Sequence, residues 1–241
     1  MAKIYGTESL YILNKKNLYS KRVIFLLVVT ALIFFPYLFN IWSIIRAKRL
    51  IAIGIPALFI VIFGIIYYVM DIQGVGLLKA RRGLQGEEDV FDILKKLPDE
   101  YSIFRGIQIN GPWDIDFIIV GPTGVFTIET KSHKGTIEFN GEELTHNGTV
   151  FPEKNILKQS MSQAWNTHMY LQEEVNKDIF VKPVIVFTRA KAHFGLYPIN
   201  NVYIIQKQWL ENFILDSKDS LVDYEHVANS FMNMISKTNG I

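Results

Sequence analysis

DIDFIIVGPTGVFTIETK, residues 114–131, reads as two apolar strands around a turn. Asp114–Val120 and Val125–Lys131 are rich in Ile, Val and Phe. Gly121-Pro122-Thr123-Gly124 between them has the residue types of a tight turn. Pairing Val120 with Val125 sets the register. It places Asp116 opposite Glu129 and Asp114 opposite Lys131. Side chains alternate with period two along a strand, so these four residues share one face. Directly opposed side chains lie about 5 Å apart at Cβ. Two opposed carboxylates repel each other, and removing them from water is costly. A divalent cation offsets both effects, and oxygen ligands of this kind suit Mg²⁺. The competing reading is a solvated face on which Lys131 merely pairs with an acid. A register slip of one residue would also break the arrangement.

Upstream, Val90, Phe91, Leu94 and Leu97 recur at helical spacing from about Leu84, and Pro98 stops the run. Glu87 precedes Val90, Phe91 and Leu94 by three, four and seven residues, so it points along the apolar face toward the sheet. Gly86 permits close backbone approach there. A simpler role for Glu87 is a first-turn acid that complements the helix dipole. Tyr101–Ile109 reads as a first strand, and Thr136–Phe139 as a short one. Asn155 to Val175 reads as a helix, Pro183–Thr188 and Val202–Ile205 as buried strands. Gln208–Leu215 and Leu221–Ser236 read as closing helices. The order gives an α/β domain over 83–241, a mixed sheet flanked by helices.

The N-terminal part differs in kind. Val23–Ile45 and Leu50–Met70 are 23 and 21 residues without a charge, each long enough to span a hydrocarbon core. Only Arg46-Ala47-Lys48-Arg49 joins them. The sequence therefore predicts a transmembrane helical hairpin over 23–70, after a segment 1–22 and before a linker 71–82. Tyr67 and Tyr68 suit an interfacial belt. Lys15, Lys16, Lys21 and Arg22 precede the hairpin, and Lys79, Arg81 and Arg82 follow it. The connecting loop has three basic residues. The positive-inside rule puts both ends in the cytoplasm, in a multi-pass cell-membrane protein with a cytoplasmic soluble domain.

Charge and composition narrow the chemistry. Residues 1–70 carry eight basic side chains and one acidic, net +7. Residues 71–241 carry seventeen and twenty-two, net −5. The soluble part lacks a broad basic footprint, so any nucleic acid must meet a local groove or a metal. There is no cysteine, which excludes disulfides, thiolate zinc sites and a thiol nucleophile. The five histidines have no metal-ligand spacing, although His133 and Lys134 sit just past the acidic motif. Trp113, Trp165 and Trp209 read as core or rim residues. Gly135 reads as a turn residue.

The ordered set Gly83-x-x-Gly86-Glu87, Asp116, Gly121-x-x-Gly124-Val125-Phe126, Glu129-Thr130-Lys131, Gly135 and Asn155-x-x-x-Gln159 resembles the nuclease-related domain family, over roughly residues 80–190. That family is similar to the PD-(D/E)XK nucleases of restriction-endonuclease-like fold. The resemblance implies that Asp116, Glu129 and Lys131 form the Asp…Glu-x-Lys core, with Glu87 as the helix glutamate and Gln159 as the downstream glutamine. Asp116 and Glu129 would hold Mg²⁺ or Mn²⁺, Lys131 would stabilise the attacking water and developing charge, and Glu87 would take a second ion or a water on the first. Gln159, with Gln163 a turn later, would orient the nucleophile or touch the backbone. Two positions depart from the family pattern. Phe117 stands where a histidine is usual, and Ile156 where a proline is. Neither removes a core acid or the lysine.

The implied activity is metal-dependent hydrolysis of phosphodiester bonds at the membrane, with nucleic acid as partner, DNA before RNA, and the lipid bilayer as anchor. The alternative is a catalytically inactive nuclease-fold module that binds nucleic acid or a protein at the membrane. A third idea, a membrane assembly protein, finds no intramembrane charge to suggest transport.

Overall fold

The computed structural model describes residues 1–6, 80–111, 114–151, 156–192, 197–219 and 223–239, and isolated positions 21, 24, 25, 28, 61, 64, 78, 194 and 221. The chain divides into two compact units, one of Met1–Glu8 with Arg82–Ile241 and one of Ser9–Arg81. The predicted spans 23–45 and 50–70 fall in the second unit and, isolated positions apart, lie outside the described residues. Among the described residues no helix is long and apolar enough to cross a membrane.

The first unit is built on one eight-stranded mixed sheet. Its strands are β1 (Lys3–Gly6), β2 (Ser102–Gln108), β3 (Asp114–Gly121), β4 (Gly124–Phe139), β5 (Leu144–His146), β6 (Thr149–Val150), β7 (Val181–Ala192) and β8 (Tyr203–Gln206). Its helices are α1 (82–94), α2 (Ile156–Val175), α3 (Leu210–Leu215) and α4 (Tyr224–Asn239). Strands β1 to β6 follow one another across the sheet, and β7 pairs in parallel with both β4 and β8.

The turn at 121–124 forms as its residues require. Gly121 pairs with Gly124 and Val120 with Val125, which leaves Pro122-Thr123 as a two-residue connection. Gly124 takes φ +125°, a conformation open to glycine. The expected break between 131 and 136 does not occur. β4 is one strand of sixteen residues that absorbs an irregularity between Lys131 and Lys134. Gly135 is therefore inside a strand rather than a turn. Its φ of +105° and the Asn147 side chain, which fills the space a Cβ would need, explain the glycine.

Three apolar clusters cover the sheet. Val90 and Leu94 of α1 and Leu210 and Ile214 of α3 pack against Phe117, Ile119, Phe126, Ile128, Val184 and Val186 on one face. On the other face, Ala164 and Leu171 of α2 and Val227 and Phe231 of α4 pack against Phe104, Ile118, Val120 and Val125. Ile137, Ile185, Phe187, Ala190 and Ala192 join Ile156 and Leu157 of α2 in the third. Each fully buried side chain of this size contributes about 1.5–3 kcal/mol. Trp165 and Trp209 are exposed and take no place in this core.

Strand β1 has no counterpart in the sequence reading. Lys3–Gly6 lies parallel to β2, and Tyr5 stacks on Phe104 with ring centroids 5.2 Å apart. Four residues on the far side of two long apolar runs carry no local signal of such a pairing.

Candidate active site

The hairpin register holds from Gly121–Gly124 to Phe117–Ile128 and then ends. Beyond that point β3 stays with β2, where Asp114 pairs with Gln108. β4 stays with β7, where Glu129 and Lys131 pair with Ile185 and Phe187. The two strand pairs part at Asp116. Gly106 lies in the gap of the β2–β3 ladder with φ +64°, which locally breaks strict alternation. The expected pairing of Asp116 with Glu129 and of Asp114 with Lys131 is thus not made. Asp116 Oδ2 instead accepts the backbone N–H of Thr130 at 2.6 Å, and Asp114 is exposed.

Glu129 is buried and held by three donors. Lys131 Nζ donates to its Oε1 at 2.8 Å, Gln159 Nε2 to the same oxygen at 3.0 Å, and Gln163 Nε2 to Oε2 at 2.9 Å. Lys131 shares the face of Glu129 because the two are separated by two strand positions. Gln159 and Gln163 share a face of α2 because they are one helical turn apart. Gln163 Nε2 also donates to the backbone oxygen of Asp114 at 3.1 Å, which ties β3 and β4 to α2 just where the strands diverge.

Glu87 arrives from the opposite layer. Gly86 makes this possible: a Cβ there would stand 2.9 Å from the Ser132 Cβ and 3.3 Å from Thr188 Oγ1. The three acids are close enough to influence one another. Burial pushes the Asp116 carboxyl well above the ordinary carboxylate range. The charges of Glu129 and Glu87 push it further, against the opposing effects of the Thr130 N–H and Lys131.

Arg105 was not anticipated. It is a buried cation on β2, with Nη2 2.5 Å from Glu88 Oε1 and 4.0 Å from Glu87 Oε2. Its guanidinium lies 5.0 Å from the Phe91 ring centre and 5.8 Å from that of Phe117. Phe117 therefore turns to the α1 face, away from Glu129. A charged residue inside the apolar run 102–109 was the available signal, since such a group is rarely buried without partners. His133 and His146, on the neighbouring strands β4 and β5, meet with ring centres 5.5 Å apart beside Phe151.

Set against known families, residues 82–188 match a family model, that of the nuclease-related domain. That stretch is similar to the nuclease-related domain. The match runs from α1 into β7 and includes Glu87, Asp116, Glu129, Lys131 and Gln159. No curated protein and no solved structure matches the chain. Among the described residues, no three His, Cys, Asp or Glu side chains form a group able to hold a metal ion. Asp116 and Glu129, whose charges act on each other, would be the carboxylates available to a cation there. Mg²⁺ needs no more, since it commonly binds one or two carboxylates and takes its other ligands from water and substrate phosphate. The mutual repulsion that raises Asp116 is the electrostatic environment a cation relieves.

Proposed function

We propose that this protein is a membrane-anchored nuclease that hydrolyses phosphodiester bonds of nucleic acid with the help of Mg²⁺ or Mn²⁺. The observation that carries the reading is the convergence of Asp116, Glu129 and Glu87, with the amine of Lys131 on Glu129, inside a nuclease-related domain. Asp116 and Glu129 would hold the ion, which supplies Lewis-acid polarisation of the phosphate and a nucleophile at neutral pH. The chain's own residues do the rest. The Thr130 N–H, Gln159 and Gln163 fix the orientation of both acids before substrate arrives. An ammonium carries three donors, so Lys131 can serve Glu129 and also the attacking water and the charge that develops on the phosphate. Glu87 stands on the α1 side of the same cluster, where it would serve a second ion or orient water.

The anchoring part rests on the sequence of 23–45 and 50–70. The described side chains of Ile24, Phe25, Val28 and Val61 are exposed, as lipid-facing positions require. Both chain ends would then be cytoplasmic.

A second reading, a nuclease-fold module that binds without cleaving, draws on the hydrogen bonds that already occupy both oxygens of Glu129. One assay separates the two. The full-length protein in detergent micelles is incubated with DNA and with RNA, with and without divalent cations. Cleavage that needs the cation and disappears in Glu129→Ala supports the nuclease. Cleavage indifferent to metal or to that substitution overturns it, and binding with no cleavage under any cation favours the second reading.

A further inference from the structure

Beyond the acidic cluster, β4 and β7 continue side by side past the end of the matched domain. Lys134 pairs with Arg189, Gly135 with Ala190, Thr136 with Lys191 and Ile137 with Ala192. Ile137, Ala190 and Ala192 turn into the third apolar cluster with Ile156 and Leu157 of α2. Alternation sends Lys134, Arg189 and Lys191 to the opposite face, and all three are exposed.

The strip adjoins the site along the two strands. Gly86 lies against Thr188, the residue before Arg189, and Glu87 follows Gly86. Strands rise about 3.3 Å per residue, so Lys134 begins roughly 10 Å along β4 from Lys131 and Lys191 lies another ~7 Å on. Phosphates of one strand in a duplex advance about 3.4 Å each along the axis, so the strip spans positions some three to five nucleotides from the scissile bond.

These three cations are set apart by standing together in one ladder, for Lys96 and Lys218 also lack a carboxylate partner among the described residues. In a soluble part of net charge −5, Lys95, Arg105, Lys131, Lys177, Lys182 and Lys207 all have carboxylate partners. Lys134, Arg189 and Lys191 have none among the described residues. Thr136 stands between them, and Glu138 closes the strip at its far end. Exposed cations side by side in one ladder give an otherwise acidic domain a local positive potential that a polyanion would meet.

We propose that Lys134, Arg189 and Lys191 form the track that holds the phosphate backbone of the nucleic acid next to the acidic site. This deepens the nuclease reading and rests on it for the identity of the polyanion. The test measures binding of a fluorescent DNA duplex by the full-length protein in micelles, in EDTA, across a salt series. Each phosphate that a cation neutralises adds about 0.9 to the slope of log K against log salt. Replacing all three by Ala is expected to lower the slope by about 0.9 for every phosphate no longer neutralised. The charge-conserving variant Lys134→Arg, Arg189→Lys, Lys191→Arg is expected to retain it, as is Lys177→Ala, which removes an exposed cation elsewhere. An unchanged slope in the triple Ala variant, or an equal fall in Lys177→Ala, overturns the track. Cleavage by the unmodified protein is read separately. Cleavage with an unchanged slope leaves the nuclease standing without its track, a fall in slope without cleavage leaves the track without the nuclease, and neither binding in EDTA nor cleavage with cation removes both.

Discussion

Gln163 donates from Nε2 to Glu129 Oε2 at 2.9 Å, from a helix on one face of the sheet to a carboxylate at its splayed centre. The same nitrogen reaches the backbone oxygen of Asp114. One amide thus links α2 to both diverging strands and sets the direction of the buried acid.

Gln163→Leu keeps the volume and removes the donor. A buried acceptor left without its partner costs about 1–3 kcal/mol. The Oε1 of Gln163 is itself buried without a hydrogen bond, so its removal offsets part of that loss. The expected stability change, read by urea unfolding, is a loss of about 1 kcal/mol. Activity should fall more than stability suggests, by about 10–100-fold, the usual effect of losing a group that orients a metal ligand. A variant with full activity would show that Glu129 needs no such support.

Asp116 gives a pH dependence of stability whose sign is fixed. Its carboxyl is raised in the folded protein by burial first, then by Glu129 and Glu87. The folded state therefore holds a proton that the unfolded chain has already released. Its stabilising contribution is complete below the unfolded carboxylate pKa of about 3.9 and is lost as pH rises through the higher folded value. Metal-free protein should lose thermal stability over that window. Asp116→Asn, which keeps an acceptor for the Thr130 N–H, should melt at a higher temperature than the parent at neutral pH and lose this part of the pH slope. Added Mg²⁺ should raise Tm in the parent and not in the variant. A variant that melts lower than the parent at neutral pH in EDTA would count against the repulsion described.

Much of this site could be read from the sequence because its signals are local. The Gly-Pro-Thr-Gly turn, the alternation around it and the glycine before Glu87 determine the hairpin register near the turn and the approach of α1. The divergence of β3 from β4 could not be read, because it depends on which other strand each one follows. β4 is drawn along β7, whose partner residues lie 55 or 56 positions later in the chain, by a long parallel ladder. Lys3–Gly6 was hidden for the same reason. Strand alternation alone turns Phe117 away from Asp116, yet nothing local shows that it would flank a buried Arg105.

Arg105 tests whether charge or shape matters at that position. Lys keeps the charge but loses the planar guanidinium that lies near Phe91 and Phe117 and reaches Glu88. Arg105→Lys is therefore expected to destabilise by about 1–3 kcal/mol, close to Arg105→Met, because packing and directed hydrogen bonds are lost in both. Chemical denaturation of the two variants checks this. A Lys variant as stable as the parent would mean that the charge alone suffices.

Gly86→Ala tests the approach of α1 to the site. The added Cβ would stand 2.9 Å from the Ser132 Cβ, closer than packed carbon atoms sit. Neither atom is the end of a flexible chain, so backbone must move. The first turn of α1 is expected to lift from β4 and carry Glu87 away from Asp116. Overpacking of this kind costs about 1–3 kcal/mol. Loss of activity alone would not distinguish a displaced Glu87 from general destabilisation. Ser132→Gly removes the opposing Cβ, and the double variant should recover most of the lost activity, whereas Ser132→Gly alone should gain none. Two residues that touch should show such coupling in a double-mutant cycle. If the two substitutions simply add, the close approach at Gly86 does not position Glu87.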